Sequence, residues 1–324
     1  MENSVIKLKN EAFIEPGYCP IIRERPWPPG TIRFSMNTNI LHEQIRRNAL
    51  SAGCWQSYAG HRRQVTGLLC DLPLDRPTPS LCVLGAGNCN DLDLQQLADR
   101  FATMCLVDVD GDAMHQAIHR QKMHDVSRIR ILGRVDLTGL IDVLDDRTID
   151  DPVGQQRLRR FVQRSEPWVP GSLEGLAGSF DVVVSVCTIS QLIDSIVLSL
   201  GQAHPNFLEL VFAVRRQHLQ LMLALLRSGG RGVLVTDFVS SETCPELVDA
   251  SPERLPSLCA QLIRQHNFFT GLNPMAIAHL LSQDDLFKNQ TDEVRLTAPW
   301  SWQYVHRTYA VAAVLFGKKR DSSE

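Results

Sequence analysis

Leu81–Leu94 reads LCVLGAGNCNDLDL. Leu81, Cys82, Val83 and Leu84 form an apolar run that leads straight into Gly85-Ala86-Gly87. From Asp91 the pattern changes, and Leu94, Leu97, Ala98 and Phe101 recur at three- and four-residue spacing. An apolar run, a glycine turn and a helical period describe a buried strand, a tight loop and a helix, the opening unit of a nucleotide-binding α/β sheet. Glycine at 85 and 87 lets the backbone turn sharply and lets a ligand come close to the main chain. Ordinary turns use glycine for the same steric reason, so the meaning of the pair depends on its surroundings.

Downstream, strands and helices alternate. A second strand is expected over Met104–Val109, with Asp108 near its end and Asp110 just past it. Asp108 lies 23 positions after Gly85, where a carboxylate grips a ribose diol in this kind of fold. Asp110 reads as the N-cap of a helix starting near Asp112. A third strand is expected over Ile129–Leu132, then an acidic, turn-rich surface stretch from Asp142 to Asp151. The nearly unbroken β-branched run Phe180–Cys187 is a strand covered on both faces. A helix from Phe207 to Leu226 ends at a glycine stop, Ser228-Gly229-Gly230. A fifth strand follows over Gly232–Asp237, helical stretches over Ser257–His266 and Pro274–Leu281, and two late strands near Val294–Leu296 and Tyr309–Phe316. This alternation predicts a three-layer α/β sandwich: a mostly parallel sheet of about seven strands with helices on both faces.

Upstream, seven prolines and glycines between Pro16 and Gly30 disfavour regular elements over residues 1–35, where Trp27 is a candidate anchor. Two helices broken near Gly53 are expected between Asn39 and Leu69, with His61, Arg62 and Arg63 in the second. Pro73, Pro77 and Pro79 mark a linker. The expected organisation is an N-terminal extension and helical lid over 1–77 and a catalytic-type domain over 78–324.

Composition is that of a globular chain, 44% hydrophobic and 21% charged over 324 residues. Net charge is −3, which gives the whole chain no electrostatic footprint for nucleic acid. Residues 1–70 carry nine Lys or Arg against five Glu and no Asp, a small basic excess that reads as a solvated surface. The nine cysteines form no C-x-x-C pair and several sit in apolar runs. That pattern argues against a disulfide framework and a metal site and fits a reducing compartment, so a cytoplasmic protein is expected. No signal pattern and no membrane span is expected.

The ordered set of motifs resembles the class I S-adenosylmethionine-dependent methyltransferases, over about Leu81 to Phe316. LCVLGAGN is similar to the family's first motif, VDVD at 107–110 to the acidic end of its second strand, and GRVDL at 133–137 to its third-strand motif. FDVVVSVCTISQL at 180–192 is similar to the fourth motif, LRSGGRGVLVTDF at 226–238 to the Gly-Gly turn into strand five, and RTYAVAAVLF at 307–316 to the final strand. The resemblance implies a Rossmann-like fold with an antiparallel last strand, and S-adenosyl-L-methionine as cofactor. It implies cofactor contacts from Gly85, Ala86, Gly87, Asn88, Asp91, Asp108, Val109, Asp136, Leu137, Cys187 and Thr188. Two positions depart from the family: Val83 stands where an acidic residue is usual, and Cys89 (or Asn88 or Asn90, by register) where a third glycine is usual.

Charge separates this cofactor from a dinucleotide. NAD or FAD sets a pyrophosphate at the N-terminus of the first helix, and here that start carries Asp91 and Asp93. A sulfonium and an ammonium tolerate carboxylates there. Asp91 also reads as an N-cap. Methyl transfer needs alignment and water exclusion more than a catalytic triad, and no G-x-S-x-G, HExxH or P-loop occurs. The end of strand four does not resemble the Asn-Pro-Pro-Tyr ending of amino-methylating nucleic-acid enzymes.

Acceptor-side and catalytic candidates are Thr188, Ser190 and Gln191, Asp237, and His61 with Tyr58 and Arg62. Each has a structural alternative: helix caps for Thr188 and Ser190, a surface ion pair for Asp237, an exposed basic helix face for His61-Arg62-Arg63. Cys187 reads as core packing. The expected function is methyl transfer to a small-molecule acceptor, without nucleic acid or membrane. The alternatives are a methyltransferase-like binding or scaffold protein without catalysis, and an NAD(P)-dependent oxidoreductase.

Overall fold

Five consecutive parallel strands form one half of the sheet: β1 (Ser80–Leu84), β2 (Thr103–Val107), β3 (Ile129–Leu132), β4 (Phe180–Val186) and β5 (Leu226–Ser240). The rest is a C-terminal set, β6 (Thr291–Leu296), β7 (Trp300–Tyr304) and β8 (Arg307–Lys318). The order across the sheet is β3-β2-β1-β4-β5-β8-β6, with β7 also paired to β8. β8 runs antiparallel to β5, β6 and β7. The computed structural model describes residues 40–144 and 151–320. The expected irregular N-terminus with Trp27 lies outside these residues, as does most of the acidic stretch after Asp142.

The hydrophobic pattern explains the arrangement. Every residue of β4 is buried, as its β-branched run requires of a strand covered by helices on both faces. Helices Leu94–Arg100 and Gly111–Arg120 connect β1 to β2 and β2 to β3; Thr188–Leu200 and Phe207–Leu225 connect β4 to β5. Leu81, Leu84, Leu94, Leu97, Phe101 and Leu106 are fully buried, each contributing roughly 1.5–3 kcal/mol.

The mostly parallel sheet with its antiparallel last strand matches the expectation; the details differ in four places. The described residues hold eight strands rather than seven, because Trp300–Tyr304 forms β7. Its alternation buries Trp300 and Trp302 and exposes Ser301 and Gln303. The helix before β5 ends at Leu225 and passes directly into the strand, without a glycine stop. Ser228-Gly229-Gly230 instead forms a bulge inside β5, where the register jumps from Phe180↔Leu226 to Val182↔Arg231. The helix after β1 starts at Leu94 with Asp93 as its cap, so Asp91 lies in the loop and caps nothing there. Asp110 does cap the helix after β2, accepting from the Ala113 N–H at 3.0 Å. No described helix is long and apolar enough to cross a membrane.

Candidate functional site

The chain winds outward from β1 through β2 to β3, then returns to place β4 on the other side of β1. Ligands in open α/β sheets bind beyond the carboxyl ends of the strands at such a switch point. A cleft lies there, with about 580 Å3 of empty space, part of it open solvent. Its floor is Gly85, Asp108 and Thr188; one wall is apolar, built from Val109, Val135, Leu137, Leu140, Ile141, Leu144 and Leu192. The other wall is the helix Ile40–Ser51, through Ile40, Gln44 and Asn48.

That helix is tied across the cleft. Gln44 Nε2 donates to Ser195 Oγ at 2.8 Å, Arg47 pairs with the buried Asp194, and Asn48 Nδ2 donates to Asp110 Oδ2 at 3.2 Å. The helix therefore bridges the elements after β1, β2 and β4.

The glycine loop has the backbone that the sequence calls for. Gly85 and Gly87 have φ of +70° and +45°, values that side chains disfavour. A Cβ at Gly85 would lie 2.3 Å from Thr188 Oγ1, so this glycine also makes room for the helix after β4. Cys89 has φ of 47°. It keeps the left-handed backbone of a third glycine without being one, which fixes the register left open among positions 88 to 90. Asp108 joins this loop to β2. Its carboxylate accepts from the Gly87 N–H at 2.8 Å and the Asp110 N–H at 2.9 Å. Burial pushes its pKa up to about 6, against the lowering effect of those two bonds.

Three N–H groups at the start of the first helix after the loop are taken by side chains. Asp93 accepts from the Gln96 N–H at 3.1 Å, Gln121 Oε1 accepts from the Leu94 N–H at 2.8 Å, and Thr66 Oγ1 accepts from the Asp93 N–H at 3.0 Å.

The basic residues of the second helix, Ala59–Cys70, are not an exposed face. His61 and Arg62 are buried and only Arg63 is exposed. Arg62 stacks its guanidinium 3.4 Å from the Trp55 ring centroid and donates to the Trp55 and Asn90 carbonyls, both at 2.9 Å. Arg120 does the same from the other side, donating to Asn88 O at 2.5 Å, Asn90 Oδ1 at 3.0 Å and Ala52 O at 3.0 Å. Asn88 itself donates to Asn48 O at 2.5 Å. Two arginines and two asparagines thus clamp the glycine loop to the N-terminal helices.

Behind this clamp is a second, aromatic and acidic compartment. His61 Nδ1 accepts from Trp300 Nε1 at 3.1 Å, which leaves the proton of the neutral ring on Nε2. Burial, aided by Arg62, lowers the His61 pKa to about 3, so the ring stays neutral. Its Nε2 stands 3.6 Å from Asp91 Oδ1. Both atoms are buried without a hydrogen-bond partner, as are Asp237 Oδ1 and Trp302 Nε1. Burial, and then the nearby Asp237, raises Asp91 to about 7. Asp237 is only 8% exposed and is pushed up to about 6 by burial. It does not pair with a surface arginine; its neighbours are the Ser190 hydroxyl and the Cys187 thiol. Tyr58 packs tilted against Trp302 and edge-on to Tyr304, with centroids 5.0 and 5.4 Å apart, while Trp302 is stacked on His61 and Tyr304.

Of the residues singled out in the sequence, Gly85, Asp108, Val109, Asp136, Leu137, Thr188 and Gln191 line the cleft. Ala86, Gly87, Asn88, Asp91 and Cys187 do not; Asn88 is spent on the clamp, and Asp91 and Cys187 face the second compartment. Asp136 holds its own loop, accepting from the Thr138 and Ile141 N–H groups at 2.9 and 2.8 Å. The Thr188 hydroxyl is engaged with Leu84 O at 3.1 Å. Cys187 is buried and its thiol pushed well up by burial, then by Asp237 and Asp91, so it is no thiolate. Sequence reasoning missed Gln44, Asn48, Trp300, Trp302 and Tyr309. The last three come from a hairpin whose tryptophan alternation was the only available signal.

No protein-family model matches the chain, and no curated protein does. Solved structures are similar to it. One is an O-methyltransferase family protein from Burkholderia thailandensis, at TM-score 0.40 and 15% identity over 90% of this chain and 65% of that one. The chain thus spans just under two thirds of that protein's length. Another is an rRNA methylase from Streptococcus thermophilus, at TM-score 0.34 and 13% identity over 79% and 95% of the two chains.

Proposed function

We propose that this chain is an S-adenosylmethionine-dependent methyltransferase acting on a small-molecule acceptor. The observation that carries the reading is the cleft at the β1/β4 switch point, where a buried carboxylate, Asp108, borders an apolar slot beside the glycine loop. The donor set fits the cofactor. Asp108 would take the ribose hydroxyls, since each carboxylate oxygen keeps a lone pair beyond its backbone bond. Val109 and Leu137, with Leu140, Ile141 and Leu192, would sandwich the adenine. Asp136 is a positioning residue, because its oxygens shape the loop that carries Leu137. When bound, the cofactor supplies an electrophilic methyl group. The chain's own residues bind it, and the helix Ile40–Ser51 closes the cleft against water.

The methylase and O-methyltransferase descriptions of the similar structures agree with this reading. The capped helix after β1 argues against a dinucleotide, because the N–H groups that would hold a pyrophosphate are already used by Asp93 and Gln121. The test is calorimetry with S-adenosylhomocysteine on the full chain. Saturable binding that falls at least tenfold in Asp108→Ala is expected. Absence of binding to the folded protein, or equal affinity in the variant, overturns the reading.

A further inference from the structure

The aromatic and acidic compartment is unexplained by the adenosine cleft. Four elements converge on it: the glycine loop with Asp91, β5 with Asp237, β7 with Trp302, and the second helix with His61 and its N-cap Tyr58. Asp237 is buried, and its Oδ1 has no donor. Asp91 keeps a route to solvent, its side chain being 23% exposed, yet its Oδ1 is sealed and unpartnered. Unmade hydrogen bonds at buried carboxylates are costly, and two of them repelling each other are costlier. Among the described residues Arg62 is the cation that acts on Asp91, and its bonds go to the Trp55 and Asn90 carbonyls. Among the described residues no cation acts on Asp237. The compartment therefore carries one uncompensated negative charge when both acids are ionised.

The missing partner must be a donor and a cation. Among the described residues no group of three His, Cys, Asp or Glu could hold a metal ion, and aromatic walls do not replace a metal's hydration shell. Those walls do attract an organic cation through their ring faces. We propose that the Asp91–Asp237 cluster is a cation site that takes a small organic amine as its ammonium form, beside the Tyr58, Trp302 and Tyr304 rings. An ammonium nitrogen has no lone pair, so on the methyltransferase reading it becomes an acceptor only after passing a proton to Asp91 or Asp237; the cation site itself does not rest on that reading. His61, held by Trp300 with its proton on Nε2, stands 3.6 Å from Asp91 without bonding it and, staying neutral, adds no positive charge to the cluster.

The groups facing the site are Tyr58, His61 and Arg62 on the second helix, Asp91 on the loop, Cys187 and Ser190 after β4, Asp237 on β5, Tyr304 on β7 and Tyr309 on β8. Of these, Asp91 and Asp237 titrate near neutrality. A bound ammonium favours their ionised forms, so binding releases protons and tightens as pH rises.

The experiment is calorimetry on the full chain with primary amines from ethylamine to benzylamine, and with benzyl alcohol as the neutral match, each with and without saturating S-adenosylhomocysteine. Amines are expected to bind saturably in both conditions, about tenfold more tightly at pH 8 than at pH 5.5, while benzyl alcohol does not. Asp237→Asn, and Asp91→Asn as a second variant should the first not fold, are expected to weaken amine binding at least tenfold and leave S-adenosylhomocysteine affinity within twofold. Failure of every amine to bind, binding of the alcohol as tightly as the amine, or displacement of amines by S-adenosylhomocysteine overturns the proposal. The last outcome would assign the carboxylates to the cofactor's own ammonium. If S-adenosylhomocysteine alone does not bind, the methyltransferase reading fails instead, and the amine titrations still decide the cation site.

Discussion

Asp237→Asn should make the protein more stable and less able to bind. The carboxyl is raised from 3.8 to about 6 in the folded chain, a shift of about 2 pH units, or about 3 kcal/mol at full effect. The sign follows from which form the fold prefers. A carboxyl with a raised folded pKa contributes its stability fully below the unfolded value of 3.8, and that contribution is lost as pH rises through about 6. At pH 8 the wild-type chain holds an ionised Asp237 that costs about 2–3 kcal/mol, part of which is repulsion from Asp91. Asparagine is neutral at every pH and keeps an oxygen for the Ser190 hydroxyl. Guanidinium unfolding should therefore show the variant about 2 kcal/mol more stable at pH 8 and equal to wild type at pH 4. Buried His61 and His218 also titrate between these pH values, but they are common to both chains and cancel in the difference. A surface or merely structural aspartate would give the opposite result, because its loss removes bonds. An Asp237→Asn chain that is less stable than wild type at pH 8 by as much as at pH 4 would refute the electrostatic account.

Other perturbations follow from the same geometry. Gly85→Ala puts a Cβ 2.3 Å from Thr188 Oγ1 at a φ of +70°, and should destabilise by about 3 kcal/mol; adding Thr188→Ala should recover the steric part, and thermal melting reads both. Arg47→Ala breaks the pair with buried Asp194, so hydrogen exchange over residues 40–51 should speed up while the strands keep their protection. His218, fully buried against Ser185 at 2.8 Å, has its pKa lowered by burial to about 4. Its contribution is present above pH 6.5 and is lost as pH falls through about 4, so His218→Gln should flatten the loss of stability across that window, as followed by denaturant titration.

The parallel half of the sheet was legible because its strands carry apolar runs, and the first two are bounded by glycine or an acidic residue. Leu81–Leu84 stops at Gly85, and Met104–Val107 stops at Asp108. The C-terminal half was less legible. PWSWQY carries no unbroken apolar run, because serine and glutamine interrupt the tryptophans; pairing with β8 turns that alternation into a strand. The Ser228-Gly229-Gly230 stop failed because a glycine pair serves equally as a helix end and as a bulge, and the contact with Phe180 decides. The cleft was half legible. Its floor sits on strand ends in motif order, while Gln44 and Asn48 of its other wall bond to Ser195 and Asp110, far along the chain, where no local pattern reports them. His61-Arg62-Arg63 is the instructive miss. A triplet of basic residues on a helix resembles a solvated face, but Trp55 and Trp300 supply stacking and a hydrogen bond that bury the first two.

The polarity of this edge follows from where the acids stand. The carboxyl ends of parallel strands collect helix N-termini, and their unmet N–H groups ordinarily make the edge a site for anions. Here Asp93 and Asp110 close the two nearest helix starts with their own charges. Asp108 then consumes the N–H groups of Gly87 and Asp110. Asp91 and Asp237 are left over, and among the described residues no cation matches them both. An edge that keeps surplus carboxylates repels phosphate and draws positive charge. The same residues therefore count against a dinucleotide at this switch point and in favour of the sulfonium cofactor and the ammonium ligand proposed above.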